Sequence, residues 1–438
     1  MAPQHLGTFE GARKRCERDR FRAPEQSFAQ DVASMVAMAA FVAAVAYVDP
    51  GNVAANLSAG AKYGYLLVWV LVLANVMAVL VQYLSAKFGL VTGRSMPEHL
   101  GETMRRPGRL AYWVQAEAIA IATDLAEVIG GALALYILFD LPLLLGGIIV
   151  GAVSMAILSL QRSSQLRFER VIIGMLAIIA IGFVAGLFVS PLDWGGVASG
   201  LVPRFEGTET VLLAASMLGA TVMPHAIYLH SSLARDRHGF EPNPVRITRL
   251  LKATRVDVVL ALVVAGGVNI AMLLLAASAL PGVEGTDTIE GAAAAISDHL
   301  GPAIGVIFAV GLLASGLAST SVGAYAGAEI MGGLLKTRIP LLLRRLITLT
   351  PALILLGVGI DPTWALVLSQ VVLSFGIPFA IVPLVWLTSR KQVMGEFANP
   401  VWLRIAGILT AMLIVLGSGL RRPGSRRSAR KDQDPSAG

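Results

Sequence analysis

The sequence predicts an all-α integral membrane protein of about eleven transmembrane helices, with the first and sixth broken. Three observations lead there. Of 438 residues, 55% are apolar and only 14% charged, with a mean hydropathy of +0.71, whereas a water-facing domain carries about a quarter charged residues. The apolar residues gather in runs long enough to cross roughly 30 Å of hydrocarbon. Two of those runs, five apart in order, are interrupted by a proline beside polar side chains.

The runs fall at about 32–58, 65–87, 111–138, 141–160, 171–189, 211–233, 256–280, 304–330, 346–360, 364–387 and 401–420. Residues 31–190 and 208–388 then form two units of five spans each, and 401–420 is an eleventh helix. The flanking stretches 1–30 and 421–438 are polar and basic and are expected to be disordered. The first run lacks a small-residue cleavage pattern, so it is read as a retained span, not a signal peptide. Cys16 is the only cysteine, so no intrachain disulfide can support the fold.

The net charge of +7 does not describe a nucleic-acid binder, because the basic residues sit between the apolar runs. The N-terminal stretch and the loops after even-numbered spans hold 27 Lys and Arg, while the loops after odd-numbered spans hold only Lys62 and Arg204. Segment 281–300 has four acidic residues and no basic one. Basic residues stay on the cytoplasmic side, so the N-terminus is expected in the cytoplasm of a multi-pass cell-membrane protein. The C-terminal stretch carries six further basic residues, although eleven spans would place it outside; the early spans usually set orientation.

The first run contains Asp49-Pro50-Gly51-Asn52. Proline removes a backbone donor and clashes with the preceding turn, and glycine adds freedom, so the helix is expected to unwind there. Unwound backbone at membrane depth is tolerated only inside protein or along a wet cavity, and a carboxylate there is costly enough to suggest function. The sixth run repeats the device with Met223-Pro224-His225. Paired breaks in two five-span units point to inverted repeats around a midplane site. Asp49 and Asn52 offer oxygen ligands that suit many cations. Met223 discriminates, since a thioether favours transition metals over calcium or magnesium, although methionine also serves as core filler.

These two signatures resemble those of the Nramp family of proton-coupled divalent-metal transporters, the bacterial manganese type in particular. The likeness extends to Ala122-Thr123-Asp124-Leu125-Ala126-Glu127, to Leu368-Ser369-Gln370 with Pro378-Phe379-Ala380, and to Arg344-Arg345. It spans roughly residues 40 to 390. The resemblance implies a LeuT-like fold with two inverted five-helix repeats plus one extra helix. It further implies that Asp49, Asn52 and Met223 ligate the metal, joined by the Ala220 carbonyl and, in some conformations, by the Ala46 carbonyl or the Gln370 side chain. The chain departs from the family pattern at Met38-Ala39-Ala40, where a Gly-Pro pair is common, and at Ala226.

Glu117, Asp124 and Glu127 lie within about 80° of one another on a helix turning 100° per residue, forming an acidic stripe in the third span. Such a stripe must line water, meet cations or be protonated. The resemblance implies proton passage from Asp49 along these acids, with Arg344, Arg345 and Arg255 as partners and His225 as a relay; a static ion-pair network is the competing reading. His230 is off that face and is expected to bond a neighbouring helix, as are the amides Asn75, Gln82 and Asn269. The small-residue run 311–327 predicts close helix packing.

The expected activity is therefore import of divalent transition-metal ions, Mn2+ and also Fe2+, with protons. The substrates are the metal ion and protons, and no resident cofactor, nucleic acid or obligate protein partner is implied. A sodium-coupled amino-acid symporter of the same fold is the alternative, disfavoured because a substrate carboxylate would meet Asp49. A channel fits paired single breaks less well, and an enzyme lacks a nucleophile or HExxH spacing. If the thioether selects the ion, Met223→Ala retains manganese uptake in proteoliposomes while admitting calcium or magnesium; unchanged selectivity would refute that role.

Overall fold

The computed structural model describes residues 40–419 apart from 240, 284, 287 and 338. The expectations for the two tails fall outside the described residues. Within them the protein is helical. The first span comprises α1 (40–45) and α2 (Pro50–Tyr63). It is followed by α3 (Val68–Thr92), a short α4 (Met96–Thr103), α5 (Arg106–Phe139), α6 (Leu143–Ser163) and α7 (Gln165–Val184). A connecting helix α8 (Trp194–Gly200) leads to the second broken span, α9 (Thr208–Thr221) and α10 (Pro224–His238). Then come α11 (Pro244–Ala279), α12 (Ile289–Leu300), α13 (Pro302–Leu335), α14 (Leu341–Val358), α15 (Pro362–Thr388), the single turn α16 (Lys391–Met394) and α17 (Val401–Gly419).

Eight helical segments are long and apolar enough to cross a membrane, counting α9 and α10 together. The broken first span, the 18-residue α14 and α17 bring the membrane segments to the expected eleven. Several boundaries shift from the sequence expectation, most of all that of the seventh span, which starts at Pro244 and not at 256. The fifth span starts at Gln165, ahead of 171, because polar residues fill its first turn. The ninth starts at Leu341 and stops at Val358, where Gly359 adopts a left-handed φ of 78°. The helices α4, α8 and α12 were not expected, being too short or too polar to register as spans.

Small residues set how closely the segments approach. A Cβ on Gly130 of α5 would fall 2.1 Å from Cβ of Pro50, and one on Gly316 of α13 would fall 2.9 Å from the Gly131 backbone. The run 311–327 thus packs against the third span, as its composition predicted. Longer helices ride through proline where a neighbour answers the orphaned carbonyl. Pro383 leaves the carbonyl of Phe379 without its helical donor, and the hydroxyls of Tyr112 and Tyr228 both donate to it.

Helix α4 is bolted across α10. Ser95 and Glu98 form a reciprocal capping box, and the Met96 N–H donates to the Ser231 hydroxyl at 3.0 Å. Arg235 of α10 then reaches Glu98 at 2.6 Å and Glu329 of α13 at 3.0 Å.

Because the Gly130–Pro50 contact leaves no space, Gly130→Val should lower the midpoint of thermal unfolding in detergent by roughly 3–8 °C. Gly267→Ala, where an added Cβ meets nothing within 4 Å, should leave it unchanged.

Candidate metal centre

Each proline break frees one particular carbonyl. A proline at position i cannot donate to the carbonyl at i−4, so Pro50 releases that of Ala46 and Pro224 that of Ala220. The backbone between α1 and α2 turns through Tyr47 and Val48, whose amides bond back only three residues, to Ala44 and Val45. The exposed carbonyls beyond are answered from other helices. The Asn269 amide donates to the Tyr47 carbonyl at 2.7 Å, Asn56 donates to Asn269 Oδ1 at 2.8 Å, and the Ser315 hydroxyl donates to the Val48 carbonyl. Irregular backbone in hydrocarbon persists only when satisfied this way.

The two breaks meet through Asn52. Asp49 is the N-cap of α2, its Oδ1 accepting from the Asn52 backbone at 2.8 Å and from Asn52 Nδ2 at 2.8 Å. The same Nδ2 donates to the freed Ala220 carbonyl at 3.1 Å. That bond carries the first break to the second across 168 residues of sequence. Asp49, Asn52 and Met223 are each 0% exposed. Met223 caps α10 in an extended conformation, with φ −83° and ψ 120°, so its side chain leaves the chain at the break itself. Gln370 of α15 completes the surround: a Cβ on Gly51 would fall 1.8 Å from the Gln370 amide nitrogen and 3.3 Å from Asp49 Oδ2. Gly51 is therefore a glycine of necessity, keeping space for that amide beside the carboxylate.

Two oxygens in this cluster remain outward-looking. Asp49 Oδ2 and Asn52 Oδ1 are buried without a hydrogen-bond partner, which is costly for a carboxylate unless something positive answers it. The carboxylate, the amide and the Ala220 carbonyl converge as hard oxygen donors, and Met223 is buried at the second of the two breaks; oxygens joined by a thioether would suit a borderline transition-metal ion. Among the described residues no group of three or more His, Cys, Asp or Glu converges. One carboxylate with neutral donors holds an ion more loosely than such a cluster does. A cavity of about 110 Å³ approaches from the side of α12, lined by Ser58, Ser216, Thr286 and Thr288 and reaching Gly51 and Gln370.

The acids of the third span descend from this centre as a staircase. Glu127 is fully buried, surrounded by Asp124, Asp49 and Arg345. Its carboxylate oxygens and that of Asp124 face Gly323 of α13, 3.2 to 3.7 Å from where a Cβ would stand. Asp124 pairs with Arg345 at 2.6 Å, and Glu117 with Arg344 at 2.7 Å. Arg344 in turn lies flat over Gly327, whose Cβ would clash with the guanidinium at 2.3 Å. Both expected arginine partners of α14 are thus in place. Arg255 is not: it is exposed on α11, near Tyr83 of α3, with no ion pair to these acids. The acidic stripe faces α13 and α14, whereas α11 packs chiefly on α2, α3 and α7.

His225, in the first turn of α10, is buried with neither ring nitrogen hydrogen-bonded, and Asp124 acts on it electrostatically. His230 bonds Gln82 at 2.7 Å, and Gln82 donates to the Tyr47 hydroxyl at 2.7 Å, so the amide and imidazole expected as interhelical partners join one chain. Sequence reasoning missed Ser315, Asn56 and Tyr47 in the supporting shell. A serine in a small-residue run and an asparagine just past the break carried faint signals, while a tyrosine in an apolar helix carried none.

Fold and centre together define a membrane carrier built on two broken helices that meet at a buried carboxylate. The family model for natural resistance-associated macrophage protein-like (Nramp) proteins matches residues 40–420. The chain is 63% identical over 379 residues to the divalent metal cation transporter MntH of Mycobacterium tuberculosis, covering 86% of this chain and 88% of that one. It is 46% identical to MntH of Bacillus subtilis, with 86% and 89% covered. Among solved structures, the Eremococcus coleocola manganese transporter, crystallised with an aromatic bis-isothiourea substituted compound, superposes with a TM-score of 0.80 at 29% identity, covering 90% of this chain and 86% of that one. MhsT in complex with L-phenylalanine superposes at 0.55 and 15% identity, covering 87% and 98%, a likeness of fold that places the architecture with the LeuT-like carriers. The chain belongs to the Nramp family.

Removing one member of a buried ion pair strands the other, at about 3–5 kcal/mol. Arg345→Met should therefore depress the thermal midpoint in detergent strongly, and adding Asp124→Leu should recover most of the loss. A double variant no more stable than Arg345→Met alone would show that the pair is not the source of the effect.

Proposed function

We propose that this chain imports divalent transition-metal ions, Mn2+ and also Fe2+, by alternating access coupled to proton symport. The observation that carries the reading is the junction of the breaks: one buried carboxylate with a free oxygen, one amide with a free oxygen, and a thioether. Asp49 supplies the charge that attracts the cation. Asn52 Oδ1 and the Ala220 carbonyl add neutral oxygens, and Met223 penalises ions that gain little from sulfur. Gln370 stands beside Asp49 as a further donor, and the Ala46 carbonyl, freed by Pro50, is available to a rearranged first span.

Protons take the other route. An ion bound at Asp49 disfavours protonation of that carboxylate, and Glu127 beside it receives the proton; the burial of Glu127 and its nearness to Asp49 support this role. From Glu127 the acids Asp124 and Glu117 lead along α5, their charge balanced by Arg345 and Arg344, with His225 flanking the route. Asp49 belongs to both routes, so metal binding there is linked to proton transfer along the acids of α5. The N-terminus and the basic loops lie in the cytoplasm, and the protein resides in the cell membrane. This orientation is supported by the 27-to-2 distribution of basic residues between the two sets of loops.

The test is uptake into proteoliposomes across a panel of divalent ions, with a pH dye inside. Asp49→Ala should abolish manganese uptake. Glu127→Gln should leave metal entry measurable while reducing the accompanying internal acidification. Full acidification with Glu127→Gln would remove this residue from the proton route.

A further inference from the structure

The far end of the molecule holds a second built cavity, unrelated to the metal centre. Between α15 and α17 runs a cleft of about 720 Å³, within the range of small-molecule sites, on the order of 300–1,000 Å³. Its lining is sorted along its length. Val382 and Val385 descend one face of α15, and Ile408, Ala411 and Met412 lie opposite on α17. At the other end stand Trp386, Ser389, Arg390 and Arg404. From Met412 to Arg404 the trough is about 12 Å long at 1.5 Å per residue. Its apolar end lies within the membrane spans and its cationic end at their mouths. Val382, Trp386 and Met412 are exposed.

The polar end is cationic and open for business with an anion only because its charges are unspent. The Arg390 guanidinium stacks 3.5 Å over the Trp386 ring, which orients it without neutralising it. Arg404 donates to the Ser389 carbonyl at 3.2 Å. Among the described residues neither arginine, nor neighbouring Lys391, forms an ion pair. Arg235, Arg237, Arg344 and Arg345 all do. A second cavity of about 620 Å³ continues past Arg404, bordered by Lys391, Asn399 and a single carboxylate, Glu396. The rim is also held rigid. Asn399 bonds the Thr388 carbonyl and hydroxyl, both at 2.9 Å, and Lys87 of α3 donates to Asn399 at 2.8 Å.

We propose that this cleft seats an anionic glycerophospholipid, with an acyl chain in the α15–α17 trough and the phosphate on Arg390 and Arg404. Three matched features select that occupant. The trough opens toward the hydrocarbon, its polar end lies where headgroups lie, and planar guanidinium groups suit phosphate oxygens. Basic pockets between membrane helices take anionic headgroups for these reasons.

Native mass spectrometry of the purified full chain, with phosphatidylglycerol and phosphatidylcholine compared at equal concentration, tests it. The wild type should retain phosphatidylglycerol preferentially. The pair Arg390→Gln with Arg404→Gln should reduce that retention roughly tenfold, two charge-assisted contacts being removed. Ala411→Trp, which fills the trough, should reduce it as well, and inorganic phosphate should not compete. If Ala411→Trp does not yield monodisperse protein, Met412→Trp gives the same reading from the exposed wall. The exposed pair Arg105→Gln with Arg106→Gln should leave retention unchanged. Equal retention of the two lipids, or an equal loss in that control pair, would overturn the proposal. So would competition by free phosphate, or a wild-type dimer that Ala411→Trp dissolves.

Discussion

The structure depends on one constraint: a helix broken in hydrocarbon must find partners for every backbone group it lets go. Pro50 and Pro224 each free a carbonyl four residues upstream, and the surrounding helices are organised to answer the consequences. Asn269 and Ser315 take the carbonyls of Tyr47 and Val48. Asn52 takes that of Ala220 while holding Asp49 in place. The cost of breaking two helices is thereby offset in the same atoms that shape a cation site. Had the breaks been satisfied entirely by backbone, no side-chain oxygen would have been left facing the junction.

The acidic staircase obeys a related economy. Buried ion pairs rarely stabilise a protein more than packed apolar residues of similar volume would, so three carboxylates in one membrane helix ask for a reason beyond stability. Two are matched one-to-one with guanidinium groups of α14. Glu127 sits nearest Asp49 and has no arginine of its own. The pairing graded along α5 thus ties Glu117 and Asp124 to α14 and leaves Glu127 facing the junction of the breaks.

Much of this was legible before any coordinates. The breaks, their spacing by five spans and the identities of Asp49, Asn52 and Met223 are local features of the chain. The acidic stripe follows from helical periodicity, and the Arg344–Arg345 pair stood out because charge is rare in such a composition. The supporting shell was not legible. Asn56 with Asn269, and Val48 with Ser315, join residues more than two hundred positions apart, and nothing local distinguishes a serine that caps a carbonyl from one that packs. Arg255 illustrates the converse error: its charge marks it as notable, but only the arrangement of helices decides that it lies near Tyr83 and not among the acids.

The bolt between α4 and α10 has a mechanical corollary. The half-helix that begins at Pro224 is tied to the short helix α4 by the Met96–Ser231 bond and the Arg235–Glu98 pair, and to α13 by the Arg235–Glu329 pair. Tilting of α10 about Met223 would therefore load α13 as well as α4, because α4 is itself packed on α13 where Gly333 meets Pro97 and Glu98. Motion at the second break is thereby coupled to the helix that also covers the acids of α5.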